Sequence, residues 1–215
     1  MFSQIGSDGG LLPKPELRKS ILLGPAERAD IVVDFTGFEG KTVTLMNNAT
    51  ALYPGGSMGM HAARLEEVMQ FRVVLDRKNV KAPSKTLIVG APAPFVRFSE
   101  TDAVWSRDFV LMEHMDQEGR SLGVKINEKG YDDLVTEIVK LGTLEKWRFI
   151  NTTEDAHPMH LHLVQFQILH RQGYDYPQFT KGAIQPVGEE RFPSPGESGW
   201  KDTESFCRMR FCRYW

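Results

Sequence analysis

Residues 145–171 read "EKWRFINTTEDAHPMHLHLVQFQILHR". Two runs rich in β-branched and aromatic residues, "EKWRFINTT" (145–153) and "HLVQFQILHR" (162–171), stand on either side of a short stretch holding His157, His160 and His162. Runs of this length, bounded by turn-forming residues, predict β-strands. The same signature recurs in "ADIVVDF" (29–35), "KTVTLMNN" (41–48), "VMQFRVVL" (68–75) and "DFVLMEH" (108–114). Short strands spaced in this way predict an all-β protein built as a sandwich or barrel.

Other segments punctuate these strands. Pro25 in "LGPAER" and the turns "GFEG" (37–40) and "NEKG" (127–130) suit hairpin or Greek-key connections. The apolar spacing of "LVTEIVKLG" (134–142) permits a short helix. Its Val, Thr and Ile residues, stiff at χ1, suit an extended segment equally well. From residue 77 to 104 the strand pattern gives way to a stretch carrying Pro83, Pro92 and Pro94. Proline and the residue before it favour extended backbone, so this stretch reads as a linker between two β units.

Composition narrows the function classes. With 26 basic and 28 acidic residues mixed along 215 positions, the net charge is -2, and no basic block exists to follow a phosphate backbone. Nucleic acid is not an expected partner. No run approaches the roughly 20 apolar residues of a membrane span, and "MFSQIGSDGG" has neither the basic nor the apolar region of a signal peptide. A membrane is therefore not expected as a partner either. The 2 cysteines, Cys207 and Cys212, sit together near the C-terminal end, so the core is expected to rest on packing rather than on disulfides.

The histidines carry the chemistry. On a strand, His160 and His162 point to one face and His157 to the other, so one short segment serves two different sites. A rise of about 3.3 Å per residue separates His157 from His162 by roughly 16 Å, within reach of electron exchange. Pro158 lacks a ladder donor and suits a strand start or edge, where side chains leave the regular sheet. Imidazole suits copper and zinc, but a histidine pair fills only part of a coordination shell, so further ligands must come from elsewhere.

"NTTEDAHPMHLHLVQFQILHR" resembles the third-domain copper motif of the bacterial multicopper oxidases, the laccases and bilirubin oxidases, and especially the spore-coat laccase type. "QIGSDGGLL", "LLGPAERADIVVDFTGFEGKTVTLMNNA", "VMQFRV" and "GWKDT" (199–203) agree with the same family in the same order. The resemblance implies cupredoxin-like Greek-key β-sandwich architecture in two partial units. Residues 1–76 would form part of a second cupredoxin-like domain, 77–104 a linker and 105–203 part of a third, followed by a tail, 204–215, outside the family pattern. It further implies copper as cofactor, with His157 as a type 1 ligand, His160 as a type 2 ligand and His162 in the type 3 pair. Activity would be one-electron oxidation of phenolic or similar aromatic substrates, with oxygen as acceptor.

The sequence departs from that family at its end. After "GWKDT" the family continues to a His-Cys-His segment, whereas this chain reads "ESFCRMRFCRYW", in which neither Cys207 nor Cys212 has a flanking histidine. Two further expectations follow: a copper-binding but catalytically incomplete cupredoxin piece as the alternative function, and a homo-oligomer in which partial sandwiches cover one another's edges. Weaker candidates are Met58, Met60, His61 and Met69, a thioether and imidazole group suited to Cu(I) but equally at home in a loop. His114 and His170 read as lone strand histidines, exposed or hydrogen-bonded. The adjacent acidic pairs Glu66–Glu67 and Asp132–Asp133 read as solvated surface.

Overall fold

A computed structural model of the chain describes residues 1–49, 65–74, 95–206 and 210–214. Met58, Met60, His61 and Cys207, and most of the proline-bearing stretch, lie outside these residues. The described residues are almost entirely strands and loops, as the sequence predicts. Strands β1 (Phe2–Ser7), β2 (Gly10–Arg18) and β3 (Ala29–Val32) form an antiparallel sheet in the order β2-β1-β3. A pair, β4 (Thr42–Met46) and β5 (Glu67–Arg72), forms a second sheet.

The largest sheet has six strands. It contains β6 (Trp105–Met115), β7 (Ser121–Ile126), β8 (Glu145–Asn151), β10 (Ile168–Tyr174), β11 (Pro186–Arg191) and β13 (Arg210–Tyr214), in the order β11-β10-β13-β8-β6-β7. Strands β9 (His157–His160) and β12 (Thr203–Phe206) pair antiparallel in a sheet of their own. Alternation along β6 and β8 divides the core. Phe109, Leu111 and Phe149 face one way and gather Phe166, Ile168, Met159 and Leu161, while Ile150 and Val110 face the other way with Tyr174, Phe179 and Ile184. The β9 segment is thus clamped onto the six-stranded sheet by Met159 and Leu161, which leaves His160 between them to point outward.

Strands β6 and β8 are parallel, from Trp105↔Glu145 to Leu111↔Asn151. Parallel neighbours need a crossover of about a dozen residues or more, and the "LVTEIVKLG" segment lies within it. That segment forms neither a helix nor a strand, and its Leu134, Val135, Ile138 and Leu141 are exposed. Arg107 ties it down. Its guanidinium donates to both oxygens of Glu145 (2.6 and 3.0 Å) and to the Ile138 carbonyl (3.1 Å).

The run at 162–171 corrects the sequence reading. The strand beginning at His157 stops at His160, and the next begins only at Ile168, in the other sheet. Leu163 explains the break, because its φ of 70° is a left-handed conformation that no strand continues through. A single bridge, Phe166 to Lys201, supports the crossing between sheets. The turn at 127–130 is of hairpin type, as the sequence predicts: Asn127 and Glu128 have positive φ, Ile126 and Lys129 exchange backbone hydrogen bonds at 3.1 and 2.9 Å, and the chain then leads into the crossover. The turn joining β6 to β7 lies instead at Asp116–Arg120, closed by Asp116 N–H to Arg120 carbonyl at 2.9 Å.

The first sheet docks on the run before β12. Ser7 Oγ and Gly9 N–H both donate to the Trp200 carbonyl (2.8 and 2.9 Å), and Gln4 Nε2 donates to the Gly196 carbonyl (2.9 Å). A side chain at Gly9 would put its Cβ 2.6 Å from Trp200, so this approach requires glycine. Phe95 and Phe98 meet the Trp200 ring edge-on at 6.0 and 5.5 Å.

Candidate metal centre

Asn151, the last residue of β8, makes the turn into β9. Its Oδ1 accepts from Thr153 N–H (3.0 Å) and Thr153 Oγ1 (2.8 Å), and its Nδ2 donates to the Asp155 carbonyl (2.7 Å). An Asn that bonds its own backbone two residues on is an Asx-type turn, a signal readable in "NTTED" that strand patterning passes over. Asn151 is fully buried, and its carbonyl receives the Tyr174 hydroxyl at 2.9 Å. Burial pushes that phenol up to about 12, which keeps it a proton donor throughout the neutral range.

The turn delivers His157. Its Nε2 lies 2.6 Å from Thr153 Oγ1, and since Thr153 gives its own proton to Asn151, the network assigns the imidazole proton to Nε2. Nδ1 is then the atom left with a lone pair. Burial holds the ring below the ordinary histidine range, against the carboxylates of Asp155 and Glu113, so the neutral form, which can ligate a metal, is favoured.

His160 is held from the other side. Along β9, His157 and Met159 are half-buried while Pro158 and His160 are exposed, which is the alternation expected of a strand. The His160 Nδ1–H donates to the Asp202 carbonyl (3.0 Å) and to Thr203 Oγ1 (2.9 Å), leaving Nε2 bare. The His160 and His162 rings lie 4.9 Å apart. His162 is exposed, just before the bend at Leu163.

Of the weaker candidates, Met69 is exposed on β5 and His114 exposed on β6. His170 is buried on β10, with Nε2 3.8 Å from a Glu190 carboxylate oxygen. Sequence reasoning missed a buried charge cluster behind β12. Lys201 Nζ sits 3.0 Å from both Asp8 Oδ2 and Glu27 Oε1, while Arg171 pairs with Glu197 (2.5 Å) and Glu204. Such residues are spread along the chain from 8 to 204 and show no local pattern. "GWKDT" was their one visible trace.

As donors, these groups fit a metal that takes imidazole. Two rings present one bare nitrogen each, with the opposite nitrogen fixed by a protein partner, which is how metal-binding histidines are oriented. Each set is partial, however. Among the described residues, no three His, Cys, Asp or Glu side chains are placed to hold one ion together.

A family model described as multicopper oxidase matches residues 106–203, the span that holds all three histidines. Residues 106–203 belong to the multicopper oxidase family. Laccase from Bacillus subtilis is 40% identical over 205 residues, covering 94% of this chain and 38% of that protein. Laccase from Bacillus stratosphericus is 37% identical over 202 residues, covering 93% and 38%. Among solved structures, the McoA multicopper oxidase 2F4 variant from Aquifex aeolicus superimposes with a TM-score of 0.65 at 28% identity, over 99% of this chain and 42% of its own. The chain therefore has the all-β, cupredoxin-like fold of these multicopper oxidases, a family that uses copper. It spans well under half the length of these relatives.

Proposed function

We propose that this chain supplies copper ligands to a laccase-like oxidase, with His157 on a type 1 centre, His160 on a type 2 centre and His162 in a type 3 pair. The observation that carries this reading is the opposed presentation of His157 and of the His160–His162 pair on one short segment, each of the two strand histidines anchored through its other ring nitrogen. Bound copper would supply one-electron transfer from phenolic or similar aromatic substrates to oxygen. The protein's part is to hold His157 neutral with Nδ1 free, and His160 with Nε2 free beside His162. The covalent segment from His157 to His162 then links the two centres through a few residues.

We read residues 1–76 and 105–203 as parts of two cupredoxin-like domains, with 77–104 between them and 204–215 outside the family pattern. One observation favours the alternative, a copper-binding but catalytically incomplete unit: the histidine sets are partial among the described residues. A second copy of the chain is the partner we infer, since the β4–β5 pair leaves Leu45, Met46, Val68 and Met69 exposed.

Replacing His160 and His162 together with Ala is expected to remove most copper retained by the purified chain, measured by elemental analysis, and any phenol oxidation. Unchanged copper in that variant would defeat the assignment. Cys207→Ser with Cys212→Ser is expected to leave the copper content as it was. If the wild-type chain holds copper yet shows no oxygen consumption with a phenol, the incomplete-unit reading stands in place of the oxidase.

A further inference from the structure

The support beneath His160 comes from the opposite end of the chain. Asp202, whose carbonyl receives His160 Nδ1–H, has a carboxylate gripped at both oxygens by Arg28, with Nη1 to Oδ1 at 2.7 Å and Nη2 to Oδ2 at 2.6 Å. Arg28 is itself fixed. Its Nη1 donates to the Ala26 carbonyl (2.9 Å), its Nη2 to the Asp8 carbonyl (3.0 Å), and its backbone N–H to Asp8 Oδ1 (2.6 Å). The turn that aims Ala26 is held at a φ of 67°, a left-handed conformation that costs a residue with a Cβ about 1 kcal/mol. Gly24 N–H to Glu27 Oε2 (2.6 Å) and Glu27 N–H to the Gly24 carbonyl (3.1 Å) maintain it.

Proton positions follow from this arrangement. Thr203, fully buried, donates its hydroxyl proton to Asp202 Oδ1 at 2.8 Å. Its oxygen is then available only as an acceptor, and His160 Nδ1 must be the donor. Arg28 has a second effect. Asp202 Oδ1 is 3.5 Å from His160 Nδ1, close enough to capture the ring if the carboxylate were released.

We propose that Arg28, Asp202 and Thr203 form a positioning relay that fixes His160 as its Nδ1–H tautomer and turns Nε2 outward beside His162, so that the 24–28 turn governs a ligand of the other half of the chain. The relay rests on the reading of His160 as a ligand only for its consequence in copper affinity. Its structural content stands without metal. The three are positioning residues: none needs to touch copper or substrate.

The test uses the full chain, first without metal. Nitrogen-resolved NMR of the imidazoles is expected to show His160 as a single Nδ1–H tautomer. The Asp202 carbonyl keeps that tautomer in Thr203→Val, whose lost hydroxyl acceptor is expected to move the Nδ1–H proton signal upfield, and Thr203→Ser is expected to restore the wild-type signal. Thr203→Val keeps the shape and both Arg28 contacts, so it reads the relay even where Arg28→Met fails to fold. Titration with Cu(II), followed by its paramagnetic resonance spectrum, is expected to show about tenfold weaker binding and an altered spectrum in Thr203→Val and in folded Arg28→Met. A mixed tautomer in the wild type, or a wild-type Nδ1–H proton signal and affinity in the folded variants, would overturn the relay. A single tautomer in a wild-type chain that binds no Cu(II) would keep the relay and remove the ligand role of His160.

Discussion

Glu204 shows how a single side chain can link this fold to pH. It is 2% exposed, receives Arg171 on Oε1, and has no hydrogen-bond partner for Oε2 among the described residues. Burial pushes its carboxyl up to about 8, more than Arg171 can offset, from an ordinary value of 4.5. The folded chain therefore keeps a proton that the unfolded chain releases. Below about pH 4.5 both states are protonated and the group has no effect. As pH rises from there to about 8, folding stability falls, and above that the loss stays constant. Glu204→Gln keeps an acceptor for Arg171 and removes the ionisation. It is expected to be near neutral at pH 5 and to stabilise the chain by about 1 kcal/mol or more at pH 8. Thermal unfolding of both proteins across that range decides the point: parallel pH profiles would show that Glu204 does not titrate there.

At the scale of elements, the bend between β9 and β10 matters most. Leu163 is fully exposed at a φ of 70°, so it bears the conformational cost of the left-handed region without any burial in return. Leu163→Gly should relieve that strain and raise stability by about 0.5–1 kcal/mol, after glycine's larger loss of chain entropy on folding. Chemical denaturation would measure it, and a destabilised glycine variant would mean that the bend is set by something other than the residue at its apex. Phe166, near the end of the same bend, behaves oppositely. It is 1% exposed in the cluster that clamps β9, and Phe166→Ala is expected to cost about 3–5 kcal/mol. Because Met159 and Leu161 share that cluster, the loss would reach the histidines between and beside them.

For the molecule as a whole, the exposed apolar residues point to association. A two-stranded sheet is marginally stable on its own, and β4–β5 pair only with each other among the described residues. Strand edges that pair with no other strand among the described residues, beside exposed Leu45, Met46, Val68 and Met69, invite addition of a second copy. Light scattering during gel filtration is expected to show a dimer or larger assembly at micromolar concentration. A soluble monomer under those conditions would remove the homo-oligomer from the functional reading, while leaving the histidine assignment intact.

The amino-acid sequence alone was sufficient for the β class and for the position of the histidine segment, because both are local: the β-branched and aromatic content of runs such as "EKWRFINTT" and three imidazoles beside Pro158 need no distant partner to be read. Asn151 and Thr153 were legible in principle, as an Asx turn is also local. The end of β9 at His160 was not. Apolar residues recur through 163–169, and only the tertiary structure, which bridges Phe166 to Lys201 and starts the next strand at Ile168 in the six-stranded sheet, sets the bend at Leu163. Least legible was what holds His160. Asp8, Arg28 and Glu27 meet Lys201, Asp202 and Thr203 only after the first sheet docks on Trp200. Ion pairs between residues so far apart leave no periodicity in the chain, and their geometry exists only once the tertiary contacts have formed.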